Sequence, residues 1–255
     1  MTLSPIPYSE KNLPAIGPAI HLEEAGLRSL ICTIGRLMHQ MHYVDGSAGN
    51  ISVRLDDNRI LATPSGLAKG FLQSDQLIIV DMDGKKVGPD TNANHDLHPT
   101  SELLMHIECY RQRSDVGGVV HAHPPTAVAL TIAGVNMATC VIPEAVVVLG
   151  LVPTAPYATP SGPENRDVVR QLVGQHDAIL LAHHGSLTVG PDVWQAYMKL
   201  ETLEHTAVIL HKAAQLGPIR PLQPEQVAKL LDLRRQLGLW RPGDEERFCV
   251  ACGVC

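Results

Sequence analysis

Aromatic residues are scarce in this chain: two phenylalanines, two tryptophans and five tyrosines, 4% of 255 residues. A core built on rings is thereby excluded. With hydrophobic residues at 45%, the interior has to be aliphatic. Positive charge is also thin. Lysine and arginine number 20 against 26 acids, a formal net charge of -6, and no basic cluster marks the chain, which argues against a nucleic-acid partner. A membrane-spanning run is missing too. The longest apolar region, Ala127 to Val152, is broken by Gly134, Asn136, Pro143 and Glu144. It reads as buried strands and turns, not as the roughly 20 apolar residues a bilayer requires. The opening MTLSPIPYSEKNLP puts prolines and charges where a secretion signal needs an apolar stretch, so the cytoplasm is the expected compartment and no membrane partner is expected.

Cysteine is sparse along the body and dense at the end. Cys32, Cys109 and Cys140 stand alone among apolar neighbours and read as buried free thiols. Cys249, Cys252 and Cys255 form C-x-x-C-x-x-C. That spacing suggests a metal or redox pair, but three thiolates without a fourth ligand make a poor zinc site. With the polar stretch RPGDEE (241–246) before it, the segment reads as a mobile tail apart from the core.

What is present is a chain of alternating elements. Residues 1–20 hold four prolines and read as an extended arm. His21–Tyr43 has helical spacing, and GNISVRL, Arg59–Thr63 and Gln76–Asp81 read as strands. A helix spans 98–113, where either Thr100 or Ser101 is placed to cap. Gly118–His123 reads as a buried strand, Thr126–Ile132 as a helix, and Val146–Val152 as a strand. A helix over Glu164–Gly174, a strand over Ala178–Leu181, and helices over Val193–Gln215 and Pro224–Leu237 complete the reading. Intermixed strands and helices predict one α/β domain, a central sheet covered by helices.

Four short patterns carry chemistry. VVHAHPP (119–125) puts His121 and His123 two apart on a strand, hence on one face. Two imidazoles side by side are a good bite for a first-row divalent metal, although H-x-H also occurs in structural roles. LLAHHGSLTVG (180–190) runs an apolar segment into His-His-Gly. It is either a plain strand exit or the source of a third nitrogen, and three histidines with an open position are a catalytic arrangement. Glu102 lies in the first turn of the 98–113 helix, an ordinary place for a carboxylate. Thr100 and Ser101 beside it add hydroxyls to the backbone donors of a helix start, which together make an anion pocket. The turns Gly49-Asn50 and Ser65-Gly66 are either simple turn chemistry or donors to a phosphate or carboxylate.

In this order and at these separations, GNIS, TPSG, PTSE, HAH and HHG resemble the class II aldolase/adducin family, over about residues 22–215. The resemblance implies a catalytic domain over 21–240 between the arm and the 241–255 tail, with a mainly antiparallel sheet in a three-layer α/β fold. It implies that His121, His123 and His184 bind a divalent ion, zinc with manganese or cobalt as substitutes. His184 rather than His183 is chosen because the family ligand directly precedes the glycine. Glu102 is then the acid/base, and a metal ligand when no substrate is bound. Asn50, Ser65, Gly66, Thr100 and Ser101 hold the substrate phosphate, with Gly49 supporting Asn50.

The implied activity is reversible cleavage of a small sugar phosphate, of the L-fuculose-1-phosphate kind, into dihydroxyacetone phosphate and an aldehyde such as lactaldehyde. No Schiff-base lysine is required, and none sits in the five motifs. In the family's aldolases a tyrosine from a neighbouring subunit protonates the aldehyde side; here Glu144 stands at that place and needs a raised pKa to serve. A decarboxylase or sugar-phosphate 4-epimerase on the same metal site is the alternative; a decarboxylase needs a cation for the second carboxylate. A non-catalytic adducin-like interaction domain is the rival of another class. The resemblance also implies a homotetramer with active sites at subunit boundaries, and the apolar stretch Ala145–Leu151 calls for cover.

Overall fold

A computed structural model describes Ile16 and residues 19–255; apart from those first positions, the expected arm lies outside the described residues. The first helix, α1 (Glu24–Gln40), buries Leu30, Ile31, Ile34 and Met38 along one stripe, the 3.6-residue spacing read from the sequence. Strands β1 (Asn50–Arg54), β2 (Arg59–Ala62) and β3 (Ile78–Asp81) follow. Then come α2 (Leu103–Gln112), β4 (Gly118–Ala122), α3 (Pro125–Ile132), the two-residue β5 (Thr154–Ala155) and α4 (Pro163–Val173). Strands β6 (Ala178–Leu181) and β7 (Gly185–Gly190) and the helices α5 (Val193–Leu216), α6 (Pro224–Gln236) and α7 (Asp244–Cys252) complete the chain. The seven strands form an open sheet in the order β3-β2-β1-β4-β7-β6-β5. Every pairing is antiparallel except β5 with β6.

Alternation along the strands builds the layers. Ile51, Val53, Leu61, Ile79, Val120 and Ala122 pack with α1 and the start of α5. Ile60, Ala62, Ile78, Val80 and Val119 pack on the opposite face with α2 and α4. The polar members of β1, Asn50 and Ser52, and the histidines of β4 share the parity of Val119, so they face α2. This face holds the candidate site. Among the described residues no helix is long and apolar enough to cross a membrane.

Three sequence expectations need correction. Val146–Val152 is not a strand: Ala145–Leu149 is a π-helical turn, closed by Gly150 N–H on Ala145 O at 2.9 Å. The valine run has strand propensity, but buried Arg234 donates to Val147 O at 2.7 Å, and this tertiary partner overrides it. The strand β7 was read only as an exit from β6, although Leu187 and Val189 alternate with Ser186 and Thr188.

The third correction concerns the cysteines. Cys32 and Cys109 are buried free thiols, but Cys140 is joined to Cys252, 112 residues away, and Cys249 to Cys255. The final segment is helix α7, with Phe248 fully buried against Val146, Leu151, Val227 and Leu231. This α6–α7 unit covers Val146 and Leu151 of the apolar Ala145–Leu151 stretch, and α3 and α5 cover Ala145 and Leu149, so all four are buried within the chain. The stretch therefore asks for no second subunit.

Candidate metal centre and active site

The centre is built by register. In the β1–β4 ladder Asn50 lies opposite His121, and in β4–β7 His121 lies opposite Leu187. His121 is fully buried. Its Nδ1 lies 2.9 Å from Ser186 O; a carbonyl only accepts, so Nδ1 donates, which fixes the ring with Nε2 directed into the centre. That Nε2 is 3.0 Å from His123 Nε2, the two rings meeting because both point to one face of β4.

His184 arrives from the β6–β7 turn. There His183 takes a left-handed conformation (φ 58), tied by its N–H to Thr131 Oγ1 at 3.0 Å. Gly185 then passes so close to β4 that a Cβ would strike Ala122 O and stand 2.8 Å from His123 Cδ2. Only glycine allows that approach. The three imidazole centroids form a near-equilateral triangle, with sides of 4.9, 4.8 and 5.0 Å.

Glu102 stands at the position just before α2 and does not cap the helix by side chain; Thr100 Oγ1 accepts the Glu102 N–H at 3.4 Å. The carboxylate instead turns inward, with Oε2 3.1 Å from His121 Nε2 and Oε1 3.3 Å from His184 Nε2. One donor atom from each of Glu102, His121, His123 and His184 lies within 4.8 Å of the others.

Burial, together with the neighbouring imidazoles, pushes His123 and His184 down to about 4, leaving them neutral with free lone pairs near pH 7. Burial acts to raise Glu102, but His121, His184 and the Asn50 amide outweigh it and hold the carboxyl well below the usual range. Three imidazoles and one carboxylate are a fitting donor set for zinc or another first-row divalent ion. His184 Nδ1 is buried without a hydrogen-bond partner among the described residues, an unsatisfied nitrogen at the centre itself.

Beside the centre lies a cavity of about 320 Å³. The six residues proposed from sequence for an anion, Gly49, Asn50, Ser65, Gly66, Thr100 and Ser101, all line it, with Glu102, His123 and His184. Glu144 does not. It is exposed at the start of the π-helical turn, outside this lining.

Residues 29–211 match the model of the class II aldolase and adducin N-terminal domain. The chain belongs to this family. A 3-oxo-tetronate 4-phosphate decarboxylase of Haemophilus influenzae is 33% identical over 186 residues, 71% of this chain and 84% of the relative. An L-fuculose phosphate aldolase of Methanococcus maripaludis is 34% identical over 174 residues, 68% and 90% of the two chains. The crystal structure of YgbL from Escherichia coli superposes with a TM-score of 0.72 at 32% identity, covering 81% of this chain and 98% of YgbL. Membership of the class II aldolase family accounts for the fold and makes a bound divalent metal plausible at the four-residue cluster.

Sequence reasoning missed three contributors. His106, one turn along α2 from Glu102, is fully buried. Its Nε2 is 2.6 Å from Asn50 Oδ1 and its Nδ1 2.7 Å from Ser52 Oγ, which is itself 2.8 Å from Tyr110 Oη. The amide oxygen accepts, so His106 donates from Nε2 and accepts at Nδ1. Asn50 Nδ2, thus oriented, donates to Glu102 Oε2 at 3.0 Å. The i, i+4 spacing of Glu102 and His106 was visible in the sequence; its meaning depended on polar Asn50 and Ser52 facing the same side.

Asn165, at the start of α4, brings Nδ2 to 3.5 Å from Glu102 Oε1. Lys69 is buried in the cavity wall, its Nζ donating to Ser47 O and Leu67 O at 2.7 Å each. It ties together the two glycine turns, and burial pulls it down to about 8 against the opposing pull of Glu102. Nothing in the local sequence distinguishes Lys69 from a surface lysine.

Proposed function

We propose that the chain is a zinc-dependent lyase that decarboxylates a small phosphorylated 3-oxo sugar acid. The observation that carries this reading is Lys69, a buried ammonium in the wall of the cavity that meets the histidine centre. It is the cation for a carboxylate that the motifs alone lack, and its residual charge persists near neutral pH. Relatives of the decarboxylase kind, and Glu144 where the family's aldolases use tyrosine, point the same way.

His121, His123 and His184 hold the ion, with Glu102 as a fourth ligand before substrate arrives. When bound, the ion polarises the substrate carbonyl and stabilises the charge left on it when the C–C bond breaks. The hydroxyls of Ser65, Thr100 and Ser101 and the amide of Asn50 receive the phosphate, with the Gly49 and Gly66 turns supplying backbone. Glu102 is the only carboxylate among the described residues of the cavity wall and is ionised at neutral pH. It takes a proton from a substrate hydroxyl or water and returns it to the carbon that has lost its neighbour.

Aldol cleavage of a sugar phosphate of the fuculose-1-phosphate kind is the second reading, favoured by the L-fuculose phosphate aldolase relative. It uses the same residues, with Glu144 of a neighbouring subunit in a homotetramer protonating the aldehyde side. Sedimentation showing a fully active monomer rejects the Glu144 part.

The deciding experiment supplies zinc or manganese to the purified chain, then offers phosphorylated 3-oxo acids, ketose 1-phosphates and their unphosphorylated counterparts. CO₂ released from the phosphorylated oxo acid alone is expected. Faster release of aldehyde from a ketose 1-phosphate transfers the assignment to the aldolase. No turnover of either class by metal-loaded protein rejects the lyase and leaves the adducin-like interaction domain. Glu102→Gln should cost on the order of 10²-fold in rate with folding retained.

A further inference from the structure

The C-x-x-C-x-x-C run plays no part in this chemistry, yet the fold brings to it the fourth cysteine that the run itself lacks. Cys249 and Cys252 are one turn apart on α7, so their Cβ atoms stand about 5–6 Å from each other. Gly253, left-handed at φ 68, ends the helix with its N–H on Cys249 O at 2.9 Å. That turn returns Cys255 to Cys249, with their Cα atoms 4.8 Å apart. Cys140, buried, lies with its Cα 6.0 Å from that of Cys252. All four sulfurs therefore gather at one helix end, closed in the structure as Cys140–Cys252 and Cys249–Cys255.

The surroundings suit a metal bound by thiolates. The start of α6 abuts the group: Leu222 N–H donates to Cys140 O at 2.8 Å, and a Cβ on Gly253 would meet Pro224 Cγ at 3.9 Å. The start of α6 thus lies beside the cysteine pairs, and Cys249 and Cys252 sit in the last turn of α7, the end of a helix that favours a cation. Four thiolates form the closed set of a structural zinc site, and C-x₂-C is a zinc-ligand spacing. Three such cysteines and a distant fourth also hold iron–sulfur clusters. Here two cysteines stand one helical turn apart and one further cysteine is brought to each, the four-donor set of a single ion. At nine residues α7 is too short to persist alone, so a ligand set joining it to Cys140 has a structural task.

We propose that, in the reduced chain, Cys140, Cys249, Cys252 and Cys255 hold one zinc ion as a four-thiolate site distinct from the histidine centre. Each disulfide takes two electrons and two protons from a dithiol reductant, which closes to its own cyclic disulfide. The resulting thiols release their protons as zinc binds. The ion and the disulfides are then alternative staples for one joint, between α7 and the 138–151 segment.

The test uses the full-length chain. Zinc per chain is counted after dithiol reduction and after oxidation, in wild type and in Cys249→Ser/Cys252→Ser. Reduced wild type should hold one zinc more than its oxidised form and one more than the variant. With cobalt in place of zinc it should show intense thiolate-to-cobalt charge-transfer absorption that the variant lacks. Alkylation of the four thiols should be blocked by zinc and restored by a chelator; this arm needs wild type only and decides the matter if the variant does not fold. Equal metal in reduced and oxidised wild type, with the four thiols alkylated equally fast with and without zinc, overturns the proposal. So does purified protein carrying iron and acid-labile sulfide at these cysteines.

Discussion

At the scale of single residues, the placement of one carboxylate depends on a buried histidine that never touches it. Burial, with His121 adding and Glu102 opposing, pushes His106 down to about 3 from its ordinary 6.5. It is therefore a neutral donor to Asn50 at any working pH. His106→Phe keeps the volume and removes both contacts. Ser52 retains Tyr110, but Asn50 Oδ1 is left buried and unpaired, at a cost of about 1–3 kcal/mol, and its amide is no longer aimed at Glu102. Steady-state kinetics should show kcat down about tenfold or more, the equivalent of about 1.4 kcal/mol, with metal content unchanged. The pH dependence checks the same assignment. Above pH 6.5 the group is neutral folded and unfolded, and contributes no slope. As pH falls from 6.5 towards 3, the unfolded chain gains a proton that the folded chain refuses, so stability falls by up to about 1.4 kcal/mol per pH unit. Urea midpoints of His106→Phe at equal metal loading should fall less steeply over that window than those of wild type.

At the scale of elements, the turn at Ala145–Leu149 is held from outside. Arg234 of α6 is 1% exposed. It donates to Val147 O and, through Nε, to Asp244 Oδ2 at 3.0 Å, and Asp244 is likewise buried. Arg234→Met removes the donor to Val147 O and one of two guanidinium partners of that carboxylate, which keeps Arg247 at 2.7 Å and the Arg241 N–H at 2.9 Å; losing buried hydrogen bonds of this kind costs about 1–3 kcal/mol. Chemical denaturation should register a loss of that size; a change below about 1 kcal/mol refutes the clasp. This element also shows how far local pattern reaches. Helices with a periodic stripe, such as Leu30, Ile31, Ile34 and Met38 on α1, were legible, as were HAH on a strand and the order of the five motifs. They were legible because those signals are short-ranged or repeated. The valine run was misread because its conformation is fixed by a guanidinium some 90 residues on, and Cys140 because its partner is 112 residues away. The six cavity-lining positions were legible through glycine turns and a helix start. Lys69 and His106 were not, since the significance of each rests on which loop or strand the fold lays against it.

At the scale of the whole molecule, the last fifteen residues belong to the structural frame. Asp177, fully buried at the start of β6, accepts Arg113 from the end of α2, Lys199 from α5 and Arg241 from the final segment. Deleting 241–255 removes Arg241 from that junction, Asp244 from Arg234 and Phe248 from its pocket. The expectation of a mobile tail apart from the core is thereby reversed: the truncated chain should be strongly destabilised, with thermal melting showing the loss before activity is assayed. Phe248→Ala alone should cost about 3–5 kcal/mol, by the same measurement.

The hydrogen bonds behind Glu102 run in one direction, from Tyr110 through Ser52 to His106 at one nitrogen, and from the other nitrogen through Asn50 to the carboxylate. They also pass through an amide, which orients but does not hand protons on. On its other side Asn165 offers a second amide. Apart from the histidine nitrogens of the centre itself, the carboxylate is thus electrically supported yet insulated from the protein interior, like a terminal whose open contact faces the cavity. Any hydrogen it gives or takes is exchanged with whatever occupies that space. Isotope exchanged at the substrate carbon should therefore come from the bound molecule or from solvent entering the mouth, never from a store behind the wall.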